Sequence, residues 1–135
     1  MADNLTQTQR SACMRSVRSQ DTTPEMLVRK AVHALGYRYA IHRKDLPGKP
    51  DIVFVSRRKI VFVHGCFWHM HKCQHGRNSP SSNIDYWLRK REANTRRDKR
   101  NARLLRAANW KVLIVWECWT RDLPHLRERL AKFLA

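Results

Sequence analysis

Apolar residues recur at helical spacing near both ends of the chain, which predicts an amphipathic helix in each place. The apolar face of the first helix consists of Leu27, Ala31 and Leu35. We expect Thr23 to cap this helix, because Pro24 suits the first helical position, and Gly36 to end it. The second helix covers 122–134, and its inner face consists of Leu126, Leu130 and Phe133.

Between these helices the apolar positions follow the patterns of β-strands. In residues 37–42 large apolar side chains occupy every second position, which is typical of a strand. Two short apolar runs, 52–55 and 60–63, are separated by four polar residues and predict a hairpin with strands buried on both faces. Another buried strand is predicted over 110–118.

The remaining segments complete the order of elements. Residues 64–83 are irregular and rich in His, Cys, Gly and Ser, and a long helix is predicted over 84–108. The predicted order is therefore α-β-β-β-α-β-α, a mixed α/β sheet flanked by helices. Residues 1–21 are polar and basic without a sustained period, so we predict an N-terminal arm that contacts its ligand. The rest, 22–135, has the length of a single domain.

The charge of the chain indicates its class of binding partner. There are 28 Lys and Arg residues against 11 Asp and Glu residues, a formal net charge of +17. Such an excess favours a polyanion, most simply nucleic acid, over the plainer alternative of a solvated surface without a specific ligand. Residues 89–103 contain eight of the basic residues, which predicts a helix face that lies along phosphates.

The apolar segments also bear on the compartment. None approaches the roughly 20 residues that span a membrane, and the N-terminus lacks the apolar run of a secretion signal. We therefore expect a soluble, cytoplasmic protein of the bacterial type that does not bind membranes. Because thiols stay reduced there, clustered cysteines indicate a metal site or a reactive thiol.

Three cysteines and one histidine form a candidate zinc site. The set consists of Cys66, His71, Cys73 and Cys118. Three thiolates and one imidazole suit tetrahedral Zn²⁺, and an ion whose four positions are all filled by protein is structural. Two alternatives stay open at this point. His69 and His75 are rival ligands, and free cysteines are often buried without any metal.

Asp51 is the candidate ligand of a catalytic Mg²⁺ ion. It begins a buried strand, and residues 52–84 contain no other Asp or Glu. Mg²⁺ needs only one or two carboxylates when phosphate, water and a backbone carbonyl complete its shell, and Val63 could supply that carbonyl. His64 and His69 follow shortly after, and a neutral imidazole suits general-base catalysis near neutral pH.

Several other residues have two interpretations each. Asp98 either points inward and orients a histidine, or lies at the surface and relieves repulsion among its basic neighbours. Glu25 stands in the first turn of a helix, where the macrodipole favours an acid without any catalytic role. Phe67 and Trp68 either stack on bases or pack beneath their loop, and Trp87 either joins them or belongs to the core.

An ordered set of motifs resembles the very short patch repair endonucleases of the Vsr type. The motifs are VHGCFWHMHKC over 63–73, MR over 14–15, DT over 21–22, LPGKPD over 46–51, YWL over 86–88 and VLIVWEC over 112–118. The resemblance implies a restriction-endonuclease-like core with an added structural zinc. It also implies a Mg²⁺-dependent enzyme that nicks double-stranded DNA 5′ to the mispaired T of T:G mismatches, which arise when 5-methylcytosine is deaminated.

The resemblance assigns a role to each candidate position. The implied catalytic residues are Asp51, His69, Asp98, His64 and Glu25. Asp51 and the Val63 carbonyl would hold Mg²⁺. His69, oriented by Asp98, would activate the attacking water. Glu25 and His64 would order the metal-bound waters and the phosphate. The implied zinc ligands are Cys66, His71, Cys73 and Cys118. The implied DNA contacts are Phe67, Trp68, Trp87, Met14, Lys90 and Asn94.

The resemblance has departures and leaves two alternatives. His is common in the family where Met70 and Lys72 stand, but neither position is needed as a ligand. Val63 stands where the best-known pattern has Thr, which is tolerable if only the backbone carbonyl binds the ion. The implied protein acts as a monomer, with mismatch-repair proteins as candidate partners. The first alternative is a relative with another DNA target, of the homing or restriction type. The second is a zinc-containing nucleic-acid-binding protein without catalytic activity.

Overall fold

The structure, a computed structural model, describes residues 21–73 and 84–135. Met14 and the rest of the predicted arm, apart from Asp21, lie outside the described residues, as does His75. The arm and the domain boundary therefore stay predictions. Over the described ranges the elements follow the predicted order α-β-β-β-α-β-α.

Three helices and four strands form the described part of the chain. The helices are α1 (Thr23–Ala34), α2 (Ile84–Ala107) and α3 (Leu123–Leu134). The strands are β1 (Ala40–Ile41), β2 (Ile52–Phe54), β3 (Lys59–His64) and β4 (Lys111–Trp116). Two 3₁₀ turns, Val55–Arg57 and Glu117–Arg121, follow β2 and β4. None of these helices is both long enough and apolar enough to cross a bilayer.

The N-cap of α1 is Thr22, so the prediction of Thr23 was wrong by one residue. The Thr22 hydroxyl accepts the backbone N–H of Glu25, and the Glu25 carboxylate accepts the N–H of Thr22, each at 3.4 Å. This reciprocal capping box satisfies two donors at the start of the helix. It needs an acid three positions after the cap, and Glu25 stands at that distance from Thr22.

The four strands form one sheet in the order β1-β2-β3-β4. The predicted hairpin of β2 and β3 is confirmed, with Val53 opposite Ile60 in antiparallel pairing. β1 is shorter than the prediction over 37–42, because only its last residues pair with β2. Tyr37 and Tyr39 instead place their rings 6.4 Å from that of Phe54.

The last strand was predicted too long and too deeply buried. β4 runs parallel to β3 and ends at Trp116, so Cys118 lies in the 3₁₀ turn rather than on the strand. Of the β4 residues only Val115 is fully buried. The reason is that β4 is an edge strand of the described sheet, with a neighbour on one side only.

The apolar core lies on both faces of the sheet. On one face α1 and α3 pack against β2 and β3, and Leu126 and Leu130 are fully buried there as predicted. Leu134, rather than the half-buried Phe133, completes the inner face of α3, since i, i+4 and i+8 lie on one side of a helix. On the other face Leu105 of α2 packs with Val53 and neighbouring apolar residues.

The turn before β2 is docked closely on α2. Gly48 has φ +78°, and a Cβ there would lie 2.9 Å from Nδ2 of Asn101 and 3.1 Å from Cε1 of Phe62. Only glycine allows both this backbone conformation and this approach. The turn thereby brings Asp51, at the start of β2, to the same end of the sheet as His64, at the end of β3.

Candidate active site and metal centre

Asp51 is held against the backbone of the neighbouring strand. Its Oδ2 accepts the N–H of Val63 at 2.7 Å. Burial raises the pKa of Asp51 to about 6, against the lowering effect of the Val63 hydrogen bond, and the charge of Glu25 raises it further. A carboxylate that is costly to ionise alone is stabilised by a bound cation. Asp51 and the backbone at Val63 therefore lie together, as a shared ion would require.

His69 and Asp98 form a hydrogen-bonded pair. The Nδ1 of His69 donates to Oδ2 of Asp98 at 2.5 Å. The imidazole of His64 stacks on that of His69, with ring centroids 3.9 Å apart and an interplanar angle of 7°. The structure thus places Asp98 inward, in the position to orient a histidine, while its catalytic role stays a prediction.

His64 is buried at the end of β3. Burial lowers its pKa to about 4, and the neighbouring His69 lowers it further, whereas Asp98 raises it. Its Nδ1 lies 3.8 Å from Oδ2 of Asp98 and has no hydrogen-bond partner within the described part of the chain. Native interiors rarely leave such an atom unsatisfied, so this nitrogen marks a place where a ligand or water atom would be stabilised.

Glu25 lies fully buried in a network of charged side chains. Its Oε1 accepts from Nη2 of Arg29 at 2.8 Å, and the same nitrogen donates to Oδ1 of Asp21 at 2.7 Å. His42 places Nε2 3.1 Å from Oδ1 of Asp21, and its Nδ1 lies 4.0 Å from Oε1 of Glu25. Because Arg29 and the cap of α1 both hold Glu25, its charge has a fixed position near Asp51.

Four of the five catalytic candidates open into one cleft of about 710 Å³, whereas the buried Glu25 does not line it. Its lining includes Asp51, Val63, His64, His69, Asp98 and His42. Four basic residues also line it, namely Lys44, Lys49, Arg97 and Arg100. Two carboxylates, three imidazoles and four basic side chains around one cleft suit a phosphodiester, whose negative charge the basic side chains would attract.

The predicted zinc ligands converge beside this cleft. One candidate ligand atom from each of Cys66, His71, Cys73 and Cys118 lies within 4.8 Å of the other three. The Sγ of Cys118 is 3.6 Å from Nδ1 of His71, and its N–H donates to Sγ of Cys66 at 3.4 Å. Zn–S bonds of about 2.3 Å in a tetrahedron separate the ligand atoms by roughly 3.8 Å, so this cluster fits the ion.

The electrostatics of the cluster agree with a cation site. Burial raises the pKa of the Cys66 thiol to about 12, and burial also raises the pKa of Cys118. Thiols this close together resist ionisation unless a cation compensates their charge. The rival ligand His69 is bonded to Asp98 instead.

The aromatic candidates form a connected group beside the active site. The ring centroids of Phe67 and Trp68 are 5.1 Å apart, and those of Trp68 and Trp87 are 5.4 Å apart. Phe67 and Trp68 are half-buried, whereas Trp87 is only 5% exposed and supports Trp68 from the helix. Lys90 is exposed on α2. Asn94 is half-buried and lines the cleft, where its side-chain amide donates to the Trp68 carbonyl. Direct contact with DNA in the conformation described is thus open to Phe67, Trp68, Lys90 and Asn94.

Comparisons with known proteins identify the family of this chain. A family model described as "DNA mismatch endonuclease Vsr" matches residues 2–75. The chain belongs to the Vsr family. The family and the mixed sheet confirm the predicted restriction-endonuclease-like fold class, and the family confirms the prediction of a DNA endonuclease. This excludes the alternative of a DNA-binding protein without catalytic activity.

Relatives of this Vsr-family endonuclease match it over most of its length. The "Type II nicking enzyme V.XorIIP" of Xanthomonas oryzae pv. oryzae is 51% identical, covering 99% of this chain and 98% of the relative. The "Type II nicking enzyme V.NmeAIP" of Neisseria meningitidis serogroup A is 42% identical, covering 99% and 95%. The "DNA mismatch endonuclease Vsr" of Escherichia coli K12 is 37% identical, covering 95% and 81%.

Three residues close to Glu25 were not predicted as site residues. They are Asp21, Arg29 and His42, which surround Glu25. Arg29 carried one signal, since it stands four residues after Glu25 on the same helix, where opposite charges pair. His42 carried none, because its approach to Glu25 depends on how the segment before β2 folds back onto α1. Its φ of +56°, unusual for a residue other than glycine, is seen only in the structure.

Proposed function

We propose that this endonuclease nicks double-stranded DNA on the 5′ side of the mispaired T in a T:G mismatch, by Mg²⁺-dependent hydrolysis. The supporting observation is that Asp51 and the His69–Asp98 pair line one basic cleft, directly beside the half-buried rings of Phe67 and Trp68. Chemistry on a phosphodiester and contact with unstacked bases would then occur on the same short loop. The name of the E. coli relative supports a mismatch as the target.

In the proposed mechanism Asp51 and the carbonyl of Val63 hold Mg²⁺. When bound, Mg²⁺ would neutralise charge on the scissile phosphate and make a coordinated water more acidic. The nearby group of His64, His69 and Asp98 contains two nitrogen ligands, which Mg²⁺ disfavours relative to oxygen. This chemistry supports Asp51 as the ligand of the ion and the histidines as groups for proton transfer.

His69 is the proposed general base. Asp98 accepts a hydrogen bond from the Nδ1–H of His69, which leaves the lone pair on Nε2 free to accept a proton from the attacking water. His64 stacks flat on the same ring and restricts its rotation. Burial lowers the pKa of His64, which favours a neutral ring that would add no positive charge in competition with the cation.

The other predicted residues have supporting roles in this proposal. Glu25, fixed by Arg29, would order waters around the ion. The basic residues of the cleft would bind the phosphate chain, and Phe67 and Trp68 would insert beside the mismatch, with Trp87 behind Trp68. Lys90, Asn94 and Met14 would complete the contacts with DNA. The endonuclease would act as a monomer, with mismatch-repair proteins as further candidate partners.

Zn²⁺ would be structural and would fix the loop that contains both the proposed base His69 and the aromatic residues Phe67 and Trp68. Cys66, His71 and Cys73 flank the segment 67–69, while Cys118 comes from the turn after β4. Four protein ligands leave no position open for substrate. A bound ion would therefore join the loop to the sheet without taking part in the chemistry.

A nicking assay tests the proposed function. Wild-type protein is incubated with labelled duplexes that differ only in one T:G or T:A pair, with Mg²⁺ or with EDTA. We expect a nick 5′ to the mispaired T, a preference for T:G of roughly tenfold to a hundredfold, and no cleavage in EDTA. Equal cutting of both duplexes would contradict the mismatch target and favour a relative with another DNA site. Cleavage that persists in EDTA would contradict the metal mechanism.

Substitution of Asp98 tests the proton-transfer pair. Asp98→Asn is expected to lower the single-turnover nicking rate about 10²- to 10³-fold, because an amide can stabilise the wrong tautomer of His69. The affinity for T:G duplex should change little. Asp85→Asn is the matched control, since Asp85 is exposed in the first turn of the same helix. An Asp98→Asn rate within threefold of this control would contradict the assignment.

A further inference from the structure

Helix α2 contacts three consecutive residues of the loop that follows β3. The pairs are Phe67 with Arg91, Trp68 with Asn94, and His69 with Asp98. In the first two, a side-chain N–H donates to the loop carbonyl at 2.7 and 3.2 Å, and in the third the histidine donates to the carboxylate. The helix partners stand at positions i, i+3 and i+7, which lie on one face of a helix. A single helix face thus positions two aromatic residues together with the candidate base.

Arg91 has a special place in this arrangement because it holds both the backbone and the ring of Phe67. Its Nε–H donates to the Phe67 carbonyl, and its guanidinium carbon lies 4.2 Å from the centroid of the Phe67 ring. A planar guanidinium suits such a stacked contact in a way that an ammonium does not. The ring of Phe67 in turn meets that of Trp68 edge to face.

Arg91 also differs from the rest of the basic stretch over 89–103. It is only 4% exposed, whereas all seven other Lys and Arg residues of that stretch are exposed. A buried guanidinium is poorly placed to bind phosphates, and burying a charge is costly unless its contacts compensate for it. Arg91 therefore has a different task from its neighbours, which the overall charge of the helix conceals.

We propose that Arg91 is a positioning residue that holds Phe67 and Trp68 in register with His69. It thereby aligns the surface that contacts the mismatch with the group that attacks the phosphate. This inference rests on the proposed function, because it assumes that the two aromatic side chains contact a mismatch. His69 has its own bond to Asp98, so loss of Arg91 should impair recognition more than chemistry.

Substitution at Arg91 distinguishes recognition from chemistry. Arg91→Met retains the aliphatic stem of the side chain. We expect it to weaken binding of the T:G duplex about tenfold, which is the scale of one base–aromatic stack. Binding of the matched duplex should weaken less than about threefold. The nicking rate at saturating T:G duplex should stay within about fivefold, in contrast to Asp98→Asn, which lowers the rate but not the affinity. Arg91→Lys retains the charge without the planar group and should recover only part of the preference.

The matched control is Arg96→Met, which removes the same charge from an exposed position of the same helix. It should weaken binding to the T:G and T:A duplexes equally. The slope of binding affinity against salt concentration should fall by about one, the contribution of a single phosphate contact. An unchanged T:G preference in folded Arg91→Met protein would overturn the proposal, and so would full recovery by Arg91→Lys. If Arg91→Met does not fold in a melting experiment, wild-type preference in Arg91→Lys alone decides against it. Wild-type protein without any T:G preference would instead refute the proposed function.

Discussion

Replacing Asp51 by Asn is expected to lower the nicking rate at least about a thousandfold, because the catalytic ion loses its only side-chain ligand in the proposal. The amide oxygen can still accept the N–H of Val63, so the turn before β2 should keep its conformation. The change also removes a negative charge from a cleft that is built to bind phosphate. We therefore expect T:G duplex to bind as tightly as before, or more tightly. Single-turnover rates across a Mg²⁺ titration measure the effect.

Asp45→Asn is the matched control for Asp51→Asn. Asp45 is an exposed acid in the segment between β1 and β2, where it is paired with Arg43 at 2.6 Å and does not line the cleft. Its substitution should leave the nicking rate within about threefold, as is usual for exposed residues away from a site. A rate for Asp51→Asn within tenfold of wild type, or an unchanged Mg²⁺ requirement, would refute the role proposed for Asp51.

Replacing Cys118 by Ala is expected to remove zinc and to lower the melting temperature by more than about 10 °C, since a structural zinc contributes several kcal/mol to folding. Cys118 is the only member of the cluster outside the loop, where the other three ligands lie within 66–73. Without it the loop is no longer joined to the turn after β4. Nicking should fail as well, because His69 belongs to that loop.

Metal analysis and calorimetry measure the loss of zinc and of thermal stability in Cys118→Ala, with Cys13→Ala as the control. Wild-type protein should contain about one zinc per chain, as a single tetrahedral site requires. Cys13 is the one cysteine of the sequence that was not predicted to be a zinc ligand, and it lies outside the described residues. Cys13→Ala should therefore retain zinc and the wild-type melting temperature. Full zinc retention by Cys118→Ala would count against the predicted ligand set.

Much of the fold could be predicted from local patterns. The hairpin of β2 and β3 follows from two apolar runs around a short polar segment, and both strands are largely buried as expected. Val55, the last residue of the first predicted run, lies instead in the following 3₁₀ turn and is exposed. The errors occur where a local pattern has a second cause. The alternation before β1 reflects packing of Tyr37 and Tyr39 on Phe54 rather than strand pairing. The predicted strand over 110–118 ends at Trp116, and the chain continues as a 3₁₀ turn. Cys118 therefore lies in this turn and not on the strand.

The candidate site could be predicted in part. Asp51, His64 and His69 stand out because a carboxylate and two imidazoles occur near strand ends in a basic chain, and the structure does bring them into one cleft. The orientation of Asp98 could not be decided, since helical spacing shows which residues share a face but not what lies opposite. The same limitation applies to Arg91, which the sequence does not distinguish from its exposed basic neighbours.

The order of elements, the nucleic-acid partner and, through the motifs, the family of endonucleases could all be read from the amino-acid sequence. These properties depend on periodicity, composition and short motifs, which are local along the chain. The contact of His69 with Asp98 across 29 residues, and that of Cys118 with Cys66 across 52, became visible in the folded chain. Such pairs form when helix and sheet pack together, and the free energy of that packing comes from apolar contacts distributed over the whole core.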